Sequence, residues 1–286
     1  MSKVLNDLLS QLRLEKLEEN LFRGECQDLG LGVAFGGQVM AQALSAAKET
    51  VQNEQQVHSF HSYFLRLGQT DRPIIYDIER IRDGQTLATR RIKAIQNGQP
   101  IFYMTASFKA KETGFEHQNK MPSAPDPEDL ISEQDMALMH TEMLPISIRD
   151  KLVAEKPIEM RPVSFVNPSD PEIEPAKRLV WLKANGKMPD DLRIHRYLLA
   201  YASDFNFLLT ALQPHGVSYF SEGMQVVTVD HSMWFHHDFR LDEWLLYAIE
   251  STVASDGRGL VRGQFFTREG KLVASSIQEG LMRKRS

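Results

Sequence analysis

The chain has almost no cysteine. Cys26 stands alone among 286 residues, which excludes an intrachain disulfide and suits a reducing compartment. No apolar run approaches the roughly 18–20 residues needed to span a bilayer. Positive charge is not in excess either: 38 acidic side chains against 33 basic ones leave a formal charge of −5. That is the wrong sign for a general binder of nucleic acid, although a local basic patch for one phosphorylated small molecule stays open. Gly-x-Ser-x-Gly, the P-loop and Gly-x-Gly-x-x-Gly are all missing, so a nucleophile elbow and the common nucleotide-binding loops are unsupported. His58-x-x-His61, and His231 with His236-His237-Asp238, tempt a metal reading. On a strand, however, residues three or five apart face opposite sides, and no Cys/His spacing fits a zinc site. No metal is expected.

What is present is an ordinary globular composition, 42% hydrophobic and 25% charged, in a length that accommodates two domains. Leu5, Leu8, Leu9 and Leu12 recur at helical spacing with acids interleaved, which predicts an amphipathic docking helix and not a signal peptide. Residues 13–30 predict a hairpin. Phe35-Gly36-Gly37 opens a run of good helix formers, Gln38 to Ala47. Strands built on β-branched and aromatic residues are expected at 57–66, 73–82, 86–96 and 100–109, with Asn97-Gly98 as a hairpin turn. Three prolines in residues 112–128 mark a linker, followed by a mostly helical connection to about residue 155. Strands are then expected at 159–166 and 178–184, a long helix at about 190–212, and strands at 224–235, 243–254, 258–268 and 271–282.

The second half repeats the first. His61-Ser62 recurs as His231-Ser232 at an offset of 170, Tyr76 as Tyr247 at 171, and Arg90 and Gly98 as Arg262 and Gly270 at 172. Both halves therefore read as paired strands, one central helix and a four-stranded antiparallel meander. One helix wrapped by a curved antiparallel sheet is the hot-dog arrangement. The expected fold is α+β, a tandem or double hot dog, with modules at 1–115 and 156–286 and a linker with helical segments at 116–155. An α+β sandwich of another topology is the alternative.

The differences between the copies point to chemistry. Leu198, Ala202, Phe205, Leu209 and Leu212 form an apolar stripe on the second-module helix, and Asp204 lies beside it. Aspartate is a poor mid-helix residue because its side chain competes for backbone hydrogen bonds. At the margin of a buried face its pKa rises toward that of a useful base; an exposed or ion-paired helix acid is the other reading. The first-module helix has no acid from Gln38 to Ala47. In the repeat register Thr228 replaces His58 and Gln278 replaces Ala106, both inside strands. Each is also readable as an ordinary satisfied polar residue. Cys26, in a charged hairpin, reads as structural.

The segments GGQVMAQAL, VHSFHSYFL, NGQPIFYMTASF, LLAYASD, VDHSMWFH and ASSIQEG resemble those of the acyl-CoA thioesterase II family, essentially end to end. The resemblance implies a double hot-dog enzyme that hydrolyses medium- and long-chain acyl-CoA thioesters without metal or cofactor and assembles into a homo-oligomer, a dimer or tetramer. It also implies a hydrolytic site of one Asp, one Thr and one Gln, which fall on Asp204, Thr228 and Gln278. On this reading Asp204 takes a proton from water that Thr228 and Gln278 orient. Gly36 and Gly37 are candidates for backbone oxyanion donors, and Arg90, Arg91, Arg258 and Arg262 for contacts to the CoA phosphates. A hot-dog hydratase or dehydratase and a non-enzymatic acyl-CoA-binding module are the alternatives. The chain ends in Arg-Lys-Arg-Ser rather than Ser-Lys-Leu, which makes the cytoplasm the expected location.

Overall fold

In the computed structural model of the chain, residues 2–29, 32–143, 149–167 and 169–285 are described. Gly30, at the end of the expected first hairpin, and 144–148, in the expected helical connection, lie outside these.

Helix α1 (Lys3–Gln11) starts on a Ser2 side-chain cap and buries Leu5 and Leu8. A short hairpin, β1 (Glu15–Glu18) and β2 (Leu21–Gly24), leads to helix α2 (Gly36–Lys48). The strands β3 (Gln55–Phe64), β4 (Ile74–Asp83), β5 (Leu87–Gln96) and β6 (Gln99–Ala110) complete the first half. The connection carries the short helices α3 (Glu133–Met139) and α4 (Arg149–Val153). The second half runs β7 (Ile158–Pro162), β8 (Lys177–Ala184), α5 (Leu192–Ser203), α6 (Leu209–Leu212), β9 (Met224–Thr228), β10 (Asp230–Phe235), β11 (Leu245–Ser255), β12 (Arg258–Thr267) and β13 (Leu272–Lys284).

Among the described residues thirteen strands join one sheet, in the order β1-β2-β4-β5-β6-β3-β10-β13-β12-β11-β8-β7, with β9 beside β13. The order is a near mirror about the β3–β10 pair, the signature of a tandem hot dog whose two modules share a seam. Neither half is a simple four-stranded meander. β3 pairs with β6 and not with its chain neighbour β4, which brings it to the seam. There Ser62 Oγ donates to the His231 carbonyl at 2.7 Å, and His61 Nδ1 lies 3.0 Å from Ser232 Oγ.

The seam also corrects the repeat register. His61 is exposed whereas His231 is fully buried, so an even offset cannot relate them, because strand side chains alternate faces. Val57 pairs with Phe108 and Phe60 with Ala106; Thr228 pairs with Gly280 and Val261 with Gln278. The true offset along β3 is 171. Thr228 therefore answers to Val57, His231 to Phe60 and Gln278 to Ala106. Arg90, which pairs with Ala106, answers to Val261 and not to Arg262.

The interior of both modules is one apolar cluster in which α2 and α5 pack together against the sheet. The segment after β6 crosses the outside of the second half, where Met121, Ala124 and Leu130 cover Trp181, Trp244, Leu246 and Phe266. Trp181 donates to the Pro125 carbonyl at 2.8 Å.

Candidate active site

The expected single helix at 190–212 is two. α5 ends at Ser203, Asp204 is its C-cap, and Asn206 adopts a left-handed φ of 53° before α6 begins. Ser203, Asp204 and Asn206 all have short polar side chains that compete with helical hydrogen bonds, and asparagine is among the few residues that tolerate that φ. The turn is held from outside. Asn206 Nδ2 donates to Glu133 of α3 at 3.3 Å, and the buried Arg178 donates to the same carboxylate at 3.3 Å.

Asp204 thus projects from a helix C-terminus, where the dipole disfavours a negative charge, toward the start of α2. Phe35, the N-cap of α2, offers no side-chain cap, so the first N–H groups of that helix lack internal partners. The Asp204 carboxylate fills the gap by accepting from the Gly37 N–H and also from Gln278 and Thr228. Burial is the largest influence on it and overcomes those three bonds, lifting its pKa from 3.8 to about 6. An edge of the residue still reaches the surface, so the group is desolvated but approachable.

The hydrogen-bond directions follow from the donor inventory. Gln278, 1% exposed, donates from Nε2 to Thr228 Oγ1 at 2.9 Å. The Thr228 hydroxyl is then left to donate to Asp204. The Gln278 Oε1 lies 2.6 Å from His231 Nδ1, and His231 Nε2 lies 3.0 Å from Ser203 Oγ. Burial lowers the His231 pKa to about 4, so the ring is neutral at working pH. A neutral ring in this setting carries its proton on Nδ1, facing an oxygen that can only accept, and its Nε2 then shares the single Ser203 hydroxyl hydrogen with the Ala200 carbonyl, 2.8 Å from Ser203 Oγ. Sequence reasoning passed over His231, having weighed it only as a metal ligand. The available signal was a histidine one strand-step from Ser232, which pairs with Ile277 beside Gln278.

The structure brings Asp204, Thr228, Gln278 and the two glycines to one place. A β-carbon on Gly36 would stand 2.6 Å from Asp204 Oδ2 and 3.0 Å from the Phe64 ring, while one on Gly37 would be driven into the Tyr201 carbonyl oxygen. Both positions need a missing side chain for close approach. The Gly37 N–H faces the base and does not stand free for an oxyanion.

The arginines are elsewhere engaged. Arg90 is 1% exposed and spends its guanidinium on Thr50 Oγ1 at 2.8 Å, the Thr50 carbonyl at 2.8 Å, the Arg82 carbonyl at 2.9 Å and Asp83. It is a buried structural tie, which removes it from phosphate binding. Arg91 pairs with Glu79 at 3.0 Å, Arg262 with Glu250, and Arg258 with Asp256 at 2.8 Å and Glu279 at 3.1 Å. Cys26 is half-buried, and burial followed by the charge of Glu25 pushes its thiol up to about 11, the opposite of an activated nucleophile. Among the described residues no cluster of three His, Cys, Asp or Glu side chains could hold a metal. No helix of the described residues is long and apolar enough to cross a membrane.

A desolvated carboxylate, with a hydroxyl and an amide beside it, thus lies where the two modules of a tandem hot-dog fold meet. A family model described as acyl-CoA thioesterase matches residues 147–281, and one described as acyl-CoA thioesterase N-terminal domain matches 26–109. The chain is 47% identical over 283 residues to acyl-CoA thioesterase 2 of Haemophilus influenzae, covering 99% of each chain. It is 39% identical to human acyl-coenzyme A thioesterase 8, over 95% of this chain and 87% of that one. The crystal structure of an acyl-CoA thioesterase II from Mycobacterium marinum superposes with a TM-score of 0.78 at 37% identity, covering 98% and 99% of the two chains. The chain belongs to the acyl-CoA thioesterase family.

Proposed function

We propose that the protein hydrolyses acyl-CoA thioesters to the free acid and CoA by general-base activation of water. Water attacks the thioester carbonyl carbon as Asp204 takes its proton. The resulting tetrahedral intermediate expels the CoA sulfur, and the proton held on Asp204 passes to that thiolate. Thr228 and Gln278 orient the water and the base, and the positive end of α2 offsets the negative charge that develops on the carbonyl oxygen. A thioester is electrophilic enough that no covalent nucleophile is needed.

The observation that carries the reading is the position of Asp204. Its pKa of about 6 leaves it mostly ionised at neutral pH yet basic enough to accept a proton, the range in which general-base catalysis is effective. Among the described residues three donors and no cation hold it, so its basicity is not quenched by an ion pair. A hydratase reading asks for a histidine at the helix acid. The buried neighbour His231 faces Gln278 and Ser203 instead, and His195 accepts from the Leu241 N–H at 2.8 Å, committed to the fold.

Breadth across medium and long acyl chains and assembly into dimers or tetramers are carried over from the family resemblance. The single cysteine suits a reducing compartment, and the cytoplasm is the location proposed. The test is colorimetric thiol release from purified acyl-CoAs of several chain lengths. Free CoA is expected in step with free acid. Loss of enoyl absorbance without thiol would identify a hydratase, and binding without either would identify a passive module.

A further inference from the structure

The hydrogen-bonded set does not stop at the three residues that touch the reacting atoms. Gln278 has to present its amide N–H groups, not its oxygen, to Thr228 and Asp204; a rotation of the amide by 180° would aim an oxygen at a carboxylate. Neither of those partners is a fixed reference. Thr228 Oγ1 can accept or donate, and Asp204 loses its charge whenever it takes the proton. The orientation must be set from the other side, where the Gln278 Oε1 meets His231 Nδ1 at 2.6 Å.

His231 is itself placed by elements on both flanks of the site. Its ring nitrogen Nε2 lies 3.0 Å from Ser203 Oγ, the residue that precedes Asp204. Its carbonyl accepts from Ser62 Oγ across the module seam at 2.7 Å, and its ring stacks on Phe60 at a centroid distance of 6.1 Å and meets the Phe207 ring at 5.8 Å and a tilt of 52°. Ring and hydroxyl are fully buried, where an unsatisfied polar group costs about 1–3 kcal/mol. The duplication supplies a second, independent observation. In the first module the counterparts of Thr228, Gln278 and His231 are Val57, Ala106 and Phe60, so the three polar residues are present together in one copy and apolar together in the other.

We propose that His231, held by Ser203, is a positioning residue for hydrolysis. Its Nδ1–H donates to the Gln278 Oε1 and so fixes which face of that amide meets Thr228 and Asp204. It touches no substrate atom, and its effect passes only through Gln278. The inference rests on the hydrolytic reading of the site, and the experiment separates the two.

Turnover and KM are measured for His231→Leu, His231→Asn and Ser203→Ala, and for His231→Leu in a Gln278→Ala background. Misplacement of a water-orienting group costs on the order of 10- to 100-fold, so His231→Leu should lower kcat by about that range with KM nearly unchanged. Asn places an amide N–H where Nδ1–H stood and should restore most of the loss. In the Gln278→Ala background the same leucine should cost little more, since coupled residues are not additive. A residue important only for packing would instead lower kcat equally in both backgrounds. Either that additivity or a wild-type kcat in folded His231→Leu overturns the proposal. If Gln278→Ala alone keeps wild-type turnover, the assignment of Gln278 to the site fails and the proposal with it, while absence of thiol release from the wild-type protein is what would sink the hydrolytic reading. Nitrogen NMR of the wild-type protein needs neither activity nor a mutant. It should find His231 neutral and protonated on Nδ1 at pH 7, and protonation on Nε2 overturns the proposal even if the leucine variant does not fold.

Discussion

A carboxylate whose pKa is lifted by burial is a liability to the native state, and its size can be worked out. In the unfolded chain the Asp204 carboxyl ionises near 3.8, and in the native protein near 6. Between those values the folded state holds the extra proton. Stability therefore falls as pH rises through the window and stays lower above it, opposite to the usual carboxylate. A shift of about 2 units at 1.36 kcal/mol each sets an upper bound near 3 kcal/mol. The residue retains some surface access, so about 1–3 kcal/mol is the expected range. Asp204→Asn cannot ionise and escapes the penalty. Relative to the wild type it should gain about 1–3 kcal/mol of stability between pH 4 and pH 7, read from urea denaturation of both proteins at one-unit steps. All other titrations cancel in the difference. A difference that stays flat across this range would refute the claim that Asp204 is a desolvated acid.

Gly36→Ala places a methyl 2.6 Å from Asp204 Oδ2 and should lower kcat at least about tenfold by displacing the base, with a much smaller effect on Tm; an active variant would show that the close approach is unimportant. Arg90→Met removes the donor to the Thr50 and Arg82 carbonyls and should destabilise by about 2–4 kcal/mol. The folded fraction should keep its inhibition by CoA, and weakened inhibition would return Arg90 to the binding site. Thr228→Val breaks the link between Gln278 and Asp204 while keeping the shape, and should reduce kcat with little change in KM; an equal rise in KM would assign Thr228 to ground-state binding.

The strands were legible because β-branched and aromatic residues alternate along them, and observed strands such as Leu87–Gln96 and Arg258–Thr267 lie where that pattern placed them. The end of α5 was not legible. The apolar stripe continues past Asp204 through Leu209 and Leu212 and hides the break, which depends on a left-handed Asn206 and on Glu133 reaching from a distant helix. Identity offsets located the duplication but missed the register by one, because chance matches such as His61 with His231 carry no information about which face a side chain takes. Arg90 shows the same limit, since strand arginines are usually solvated and nothing local marks the one enclosed by Thr50 and Asp83. Asp204, Thr228 and Gln278 were singled out by contrast between the copies and by family resemblance, whereas His231 was not, since its role lies in a partner 47 residues away.

The pH dependence of kcat/KM for acyl-CoA hydrolysis tests the central assignment most directly. It should rise with pH through an apparent pKa near 6 and level off, reporting the ionisation of Asp204 in the free enzyme. In folded Asp204→Asn the plateau should drop by about 10²–10⁴-fold and the inflection near 6 should vanish. An Asp204→Asn enzyme that keeps both the rate and the inflection would show that another group removes the proton from water.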